Sequence, residues 1–97
     1  MKNRDYWVYI LTNKNNNVFY VGVSNNVENR YYQHIYGKNQ KSFSTKYNLK
    51  KLIYMEHYTY IEDAIAREKR LKRWRRKWKI DLIKKQNPFF LNLMTDI

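Results

Sequence analysis

The run Tyr6-Trp7-Val8-Tyr9-Ile10-Leu11-Thr12, the segment Asn13-Lys14-Asn15-Asn16-Asn17 and the run Val18-Phe19-Tyr20-Val21-Gly22-Val23 decide the fold. Both flanking runs are rich in β-branched and aromatic residues, and the polar segment between them has turn chemistry, so the three together read as a β-hairpin. Side chains alternate along a strand. Trp7, Tyr9 and Leu11 therefore share one face of the first strand, and Val18, Tyr20 and Gly22 share one face of the second. The length of the loop does not set the register, but the alternation allows the Tyr9 and Tyr20 phenols to converge above one sheet surface.

Downstream, a helix is expected after Asn25, an N-cap whose partner Glu28 completes a capping box, and Gly37 ends it. Val27, Arg30, Tyr31 and His34 recur at helical spacing, so the turns that pack on the sheet carry a cation and an imidazole toward it. The segment from Gly37 to Asn48 reads as a polar loop with a short helical turn around Phe43 to Tyr47, and its Lys38, Lys41 and Lys46 are placed to touch a phosphate backbone. A third strand is expected over Lys51 to Tyr58, with His57 alternating onto the face of Ile53 and Met55 in a structural role. A long helix follows from Ile61. Trp74 and Trp78 drift off the stripe of Ile61 and Ile65, which predicts a break near Trp74 to Arg76 and a second helix over Lys79 to Lys85, stopped at Asn87-Pro88.

One acid on the long helix stands out. At about 100° per residue, Ile61, Ala64, Ile65, Glu68 and Leu71 fall on one face with Glu68 near its middle. A carboxylate there is destabilising unless something satisfies it. From Arg67 to Lys79 it is the only acid among nine Lys and Arg residues. Two readings fit: an internal ion pair, to Arg30 or another cation, or a metal ligand.

Composition narrows the chemistry. With 97 residues, 43% of them hydrophobic, there is apolar material for one small core, and residues 1–97 read as a single domain. No run approaches the ~20 apolar residues of a membrane span, and the first five residues lead straight into the strand without a signal-peptide core, so a cytoplasmic location is expected. There is no cysteine for disulfides or thiolate metal sites, and two histidines are too few for a histidine-rich zinc site. Any metal is then held mainly by oxygen, which suits magnesium or manganese.

The formal net charge is +12, of which +5 lies up to Asn48 and +7 after it, with the Arg67 to Lys79 run densest. Such an excess attracts polyanions, and nucleic acid is the expected partner. The bland alternative for the basic run is a solvated helix face. An interfacial membrane helix is disfavoured, because Trp74 and Trp78 do not form one apolar face with Ile61 and Ile65.

Tyr9, then Tyr20-Val21-Gly22 eleven residues later, Arg30, His34 one turn beyond and a helical Glu68 together resemble the GIY-YIG endonuclease superfamily. The set is most similar to small stand-alone bacterial members, themselves similar to the nuclease domain of the bacterial excision-repair nuclease. The first motif departs from the pattern: Trp7-Val8-Tyr9 replaces its glycine and keeps its tyrosine. The second differs by Val21 for isoleucine, a volume change a core tolerates.

The resemblance implies an α+β fold, a three-stranded antiparallel sheet flanked by helices, and hydrolysis of one DNA strand with a single divalent cation. A lone inward carboxylate agrees with one Mg2+ or Mn2+ ion, since two-metal nucleases need several. It further implies that Glu68 holds the cation, that Arg30 grips a phosphate oxygen through its planar fork, and that Tyr9 orients or deprotonates the attacking water with Tyr20 and His34 assisting. His34, with an ordinary pKa near 6.5, is the rival base. Gly22 lets the backbone approach closely or makes room for a neighbouring side chain. Lys46, Arg67, Arg70 and Arg73 are expected substrate contacts, as is Asn87 if it corresponds to the family's C-terminal asparagine rather than serving as a cap or turn; Asn92 is the second candidate for that part. The expected partner is DNA, with no membrane and no protein partner. The competing reading is a non-catalytic nucleic-acid-binding module of the same fold, in which Tyr9 and Tyr20 are ordinary sheet aromatics, Arg30 is a surface phosphate clamp and His34 a satisfied helix histidine.

Overall fold

A computed structural model of the chain describes residues 4–36 and 46–94. Three antiparallel strands, β1 (Tyr6–Thr12), β2 (Phe19–Ser24) and β3 (Lys51–Tyr58), form one sheet in the order β2-β1-β3. Helix α1 (Val27–Tyr36) joins β2 to the segment before β3, and α2 (Ile61–Arg73) and α3 (Arg76–Gln86) follow β3. No described helix is long and apolar enough to cross a membrane.

The central strand is apolar on both faces because helices cover both. Val8 and Ile10 pack with Ala64 and Leu71 of α2 and Ile83 of α3, whereas Tyr9 and Leu11 pack with Val27 and Tyr31 of α1. The hairpin register sets Tyr9 opposite Gly22 and Tyr20 opposite Leu11. The two phenols therefore share the α1 face, as the alternation predicts.

Between β1 and β2, Asn16 takes the left-handed φ of 56° that asparagine tolerates, and the side-chain amide of Asn13 closes the loop by accepting from the Asn17 backbone at 3.0 Å. β2 begins and ends one residue later than expected. Helix α1 is capped by Asn26 rather than Asn25: its Oδ1 accepts from the Asn29 N–H at 3.0 Å, while its own N–H donates to Ser24 Oγ at 2.9 Å. Ser24 holds Asn26 in the cap position, and the shift leaves Glu28 in the first turn, favourable to the helix dipole but outside a capping box. The expected end at Gly37 and most of the expected turn around Phe43 lie outside the described residues, though Lys46 is helical.

A bulge in β3 corrects the face assigned to His57. Ile10 pairs with Tyr54 and Leu11 with Leu52, so Ile53 is extra, and Ile53 and Tyr54 both join the α2 side. Met55 and His57 consequently face away from Ile53. His57 meets Trp7 edge-on at 4.9 Å between ring centroids and places Nε2 2.8 Å from Asp5 Oδ1, a structural role.

The expected break falls at Trp74 and Arg75, both extended, and α3 starts at Arg76, three residues earlier than the predicted Lys79. Trp74 and Trp78 meet edge-on across the break at 6.1 Å. Past α3 the chain runs along the outer edge of β3. There Gln86 donates to the Met55 carbonyl at 2.8 Å and accepts from its N–H at 3.1 Å, Asn87 donates to the Ile53 carbonyl at 3.0 Å, and Asn92 accepts from the Leu52 N–H at 3.1 Å. Side-chain amides thus satisfy backbone groups that a fourth strand would otherwise pair.

Glu56 anchors α2 to the sheet. Its carboxylate accepts from Tyr54 and Tyr58 hydroxyls at 2.6 Å each, and from Arg67 Nε at 2.8 Å and Nη2 at 3.2 Å. Burial raises the Glu56 pKa, but the hydrogen bonds from Arg67, Tyr54 and Tyr58 outweigh it and leave the group below its ordinary 4.5. A depressed carboxylate contributes stability that is present above its unfolded pKa and lost as pH falls through the folded one. Urea unfolding of wild type should weaken from about pH 4.5 downward more steeply than that of Glu56→Gln, and Glu56→Ala should lose about 2 kcal/mol at pH 7 by leaving Arg67 and two phenols unpaired.

Candidate active site

Three elements converge on the α1 face of the sheet, and α2, packed on the opposite face, adds a fourth contribution. β1 supplies Tyr9, β2 supplies Tyr20 and Gly22, and α1 supplies Arg30 and His34; α2, which touches all three strands, brings Glu68 within electrostatic range of the Tyr9 phenol. Tyr9 Oη lies 3.2 Å from His34 Nε2. The ring centroids of Tyr9 and Tyr20 are 6.3 Å apart, those of Tyr9 and His34 6.2 Å, and those of Tyr20 and His34 5.2 Å. The result is a tight triangle of two phenols and one imidazole.

Gly22 is the condition for that triangle. A Cβ at this position would stand 2.5 Å from both Cζ and Oη of Tyr9, well inside van der Waals contact. Of the two roles open from sequence, making room for a side chain is the one the geometry requires. Trp7, standing where the first motif has glycine, lies two residues before Tyr9 on β1 and packs against His57 of β3.

The site holds its protons in a defined way. Burial pushes the Tyr9 phenol well above its ordinary pKa, reinforced by Tyr20 and opposed by Arg30, with Glu68 and a hydrogen bond to Tyr20 adding to the rise. Tyr9 is 1% exposed. His34 moves the other way: burial and then the Arg30 charge lower it below 6.5. At neutral pH the pair is a protonated phenol and a neutral imidazole, and the imidazole tautomer sets which of Oη and Nε2 donates.

Glu68 is half-buried, its side chain 19% exposed, with Oε2 2.9 Å from Lys72 Nζ. Of the cations open to it, Glu68 pairs with an i,i+4 lysine that is itself half in solvent. Ile65, placed with Glu68 on a buried stripe, is 39% exposed; only Ala64 and Leu71 of α2 are fully buried, so the stripe is narrower than the sequence suggests. Among the described residues no cluster of three or more His, Asp or Glu side chains gathers.

The expected substrate contacts separate into groups. Arg67 is committed to Glu56 and stacks over Trp74 at 5.1 Å. Arg70 and Arg73 line a shallow cationic recess of about 370 Å³ with Lys69, on the part of α2 turned roughly 100–200° from Glu68. Asn87 is buried, and its side chain binds Ile53 O and both the N–H and carbonyl of Leu91. Asn92 is likewise engaged, with Leu52, Met94, Tyr31 and Lys50. Both asparagines build the fold rather than the site, and Lys46 lies at the hairpin end of the sheet with Lys14, Lys50 and Lys51. The residues that sequence reading missed are Glu56 and its tyrosine donors, Tyr54 and Tyr58. The spacing Tyr54-x-Glu56-x-Tyr58, one strand face carrying an acid between two phenols, was the available signal.

A family model described as "GIY-YIG catalytic domain" matches residues 5–81. A UPF0213 protein from Bacillus halodurans, solved by NMR in solution, is similar in fold with a TM-score of 0.57, covering 93% of this chain and 94% of that one at 23% identity. No curated protein gives a significant match.

Gly22→Ala should lower stability by about 2 kcal/mol through overpacking against Tyr9. In a double-mutant cycle with Tyr9→Ala, measured by denaturant unfolding, most of that loss should vanish, because the atoms in conflict are gone. An additive cycle would mean that the glycine serves something other than the Tyr9 ring.

Proposed function

The chain belongs to the GIY-YIG catalytic-domain family, and from that premise we propose that it is a divalent-metal-dependent endonuclease hydrolysing a phosphodiester bond in DNA. The observation that carries the reading is the Tyr9 hydroxyl held 3.2 Å from His34 Nε2, under the opposing charges of Arg30 and Glu68. A buried phenol aimed at an imidazole beside an exposed guanidinium brings a proton relay and a phosphate donor to one place.

Glu68 is a fitting donor for a hard cation. Its carboxylate is partly exposed and already holds one positive charge, the Lys72 ammonium. Magnesium keeps several of its waters and takes one or two carboxylates besides substrate phosphates, so a single glutamate suffices. When bound there, the ion neutralises the scissile phosphate and favours negative charge on the departing 3′ oxygen.

The chain's own residues handle binding and proton transfer. Arg30, exposed at the mouth of the site, donates its fork to a non-bridging phosphate oxygen. The raised phenol pKa argues against a standing Tyr9 phenolate at neutral pH. A relay removes the need for one: the attacking water passes its proton to Tyr9 Oη as the Tyr9 proton moves to His34 Nε2. The new O–P bond forms as the bond between phosphorus and the 3′ oxygen breaks, the leaving oxygen is protonated from solvent, and His34 later returns its proton to water. Tyr9 and His34 then share the role of base, with the Tyr20 ring packed beside both. Arg70 and Arg73, on the far side of α2 from Glu68, hold flanking backbone rather than the scissile phosphate. Such contacts carry no base information, which supports selection by nucleic-acid shape, as in repair or recombination.

Glu68→Gln should abolish Mg2+-dependent nicking of end-labelled DNA while leaving affinity nearly unchanged; full nicking by this variant would remove the reading. His34→Ala should lower kcat by about 10²–10³-fold. Because His34 titrates below 6.5, wild-type activity should hold from neutral pH to below that value and fall only under it, and this acid limb should be missing from the His34→Ala profile.

A further inference from the structure

At the hairpin end of the sheet lies an open groove of about 730 Å³ that takes no part in the site above. Lys14, Lys46, Lys50 and Lys51 line it, and no acid is among its described lining residues. Lys46 Nζ stands 5.3 Å over the ring of Tyr47, itself 39% exposed, so ammonium and phenol present one composite surface. Asn13, Asn15 and Asn48 add side-chain amides. Asn48 has a left-handed φ of 62°, turning the chain between Tyr47 and Lys50 along the groove wall. The Lys50 carbonyl is pinned by the Tyr31 hydroxyl of α1 at 2.6 Å, which ties the groove to the helix that carries Arg30 and His34.

We propose that this groove binds a single-stranded segment of nucleic acid continuous with the strand held in the active site. The proposal rests on the endonuclease reading for what occupies the active site, and on the groove alone for what binds here. Lysines supply phosphate contacts, an exposed phenol supplies a face for an unpaired base, and amides supply donors and acceptors to base edges. A duplex keeps its bases stacked inside and brings only its backbone to such a surface, leaving the ring and the concavity unused. The groove adjoins the Thr12–Lys51 pair, three residues along β1 from Tyr9, or about 10 Å at strand rise. At 3.4 Å per nucleotide along one strand, that spans on the order of three nucleotides from the scissile phosphate. A substrate with unpaired nucleotides beside the cut, such as a flap or frayed end, engages both.

The test is fluorescence anisotropy in EDTA, so that no cleavage enters, with a labelled single-stranded oligonucleotide and the blunt duplex of the same sequence. The triple variant Lys14→Gln/Lys46→Gln/Lys50→Gln spares the strand residue Lys51. The charge-matched control Lys77→Gln/Lys84→Gln/Lys85→Gln lies on exposed α3 positions. The groove variant should lose at least tenfold in single-strand affinity, and its slope of log K against log salt should shrink by about 2, at roughly 0.7 per phosphate contact. The control should lose about twofold. Tyr47→Leu, which keeps the charge, should weaken single-strand binding several-fold and leave duplex binding unchanged. Equal losses in the two triple variants, or equal weakening of single strand and duplex, would overturn the groove as a site. Matching thermal unfolding of all variants excludes misfolding as the cause. Groove-dependent binding by a wild type that cuts nothing in Mg2+ would remove the nuclease reading and leave the groove; nicking with groove-independent binding would do the reverse.

Discussion

The carboxylate of Glu56 is the constraint on which the placement of α2 depends. That helix is mostly charged, has no side-chain N-cap, and buries fully only Ala64 and Leu71. So thin an apolar stripe specifies depth better than rotation, because hydrophobic contact is non-directional. Arg67 supplies the missing direction: its Nε and Nη2 meet the two oxygens of Glu56, each of which also takes a tyrosine hydroxyl. A planar fork bound this way tolerates little rotation. Glu68 is the next residue, about 100° round the helix, so the pair that fixes Arg67 also fixes the direction of the candidate metal-holding carboxylate. A helix turned back by one residue would put Glu68 against two phenols and carry Arg67 a further ~100° away from them, leaving the site without its carboxylate.

The strands were legible because β-branched and aromatic runs bounded by turn chemistry leave few alternatives: β1 and β3 fall at the bounds read from sequence, and the Tyr9, Tyr20, Arg30, His34 and Glu68 constellation was visible as ordered spacing. What could not be read depended on contacts between distant segments. Asn25 and Asn26 are chemically equal as caps, and only Ser24 Oγ beneath Asn26 decides between them. Periodicity alone could not reveal the bulge at Ile53, because a single extra residue inverts the faces on one side of it and leaves the local composition unchanged. Ile65 falls outside the buried stripe because a helical wheel gives angle but not the width of the surface that receives it. The amides of Gln86, Asn87 and Asn92 have the look of turn or ligand chemistry. Their actual partners are backbone groups some 30 to 40 residues earlier in the chain.

Those amides solve a problem created by the strand order. With β1 in the middle, β3 has an open edge, and an open edge invites pairing with another chain. Gln86 mimics a strand residue by both giving to and taking from Met55, and Asn92 with the Leu93 N–H does the same for Leu52. This explains why the segment after α3 can be irregular yet ordered, and why Asn87 is unavailable to a substrate: its polar atoms are consumed in closing the sheet.

The Tyr9 phenol sets burial against acidity. Placing it at the sheet surface under α1 fixes its position to within a hydrogen bond of His34, but the same burial raises its pKa and makes it a poorer base in isolation. Burial acts on His34 in the opposite sense, since the charged form of imidazole is the cation, and the Arg30 charge adds to that effect. One low-dielectric environment therefore favours the proton on the phenol and its absence on the imidazole, the starting arrangement for passing a proton from oxygen to nitrogen. Arg30, suited to hold phosphate, acts on the two groups in different senses: it opposes the rise at Tyr9, easing loss of the phenol proton, and deepens the fall at His34, keeping the imidazole neutral. Removing Gly22 from this arrangement would displace the phenol ring that both effects act upon, so the smallest residue in the site is the one that its electrostatics presuppose.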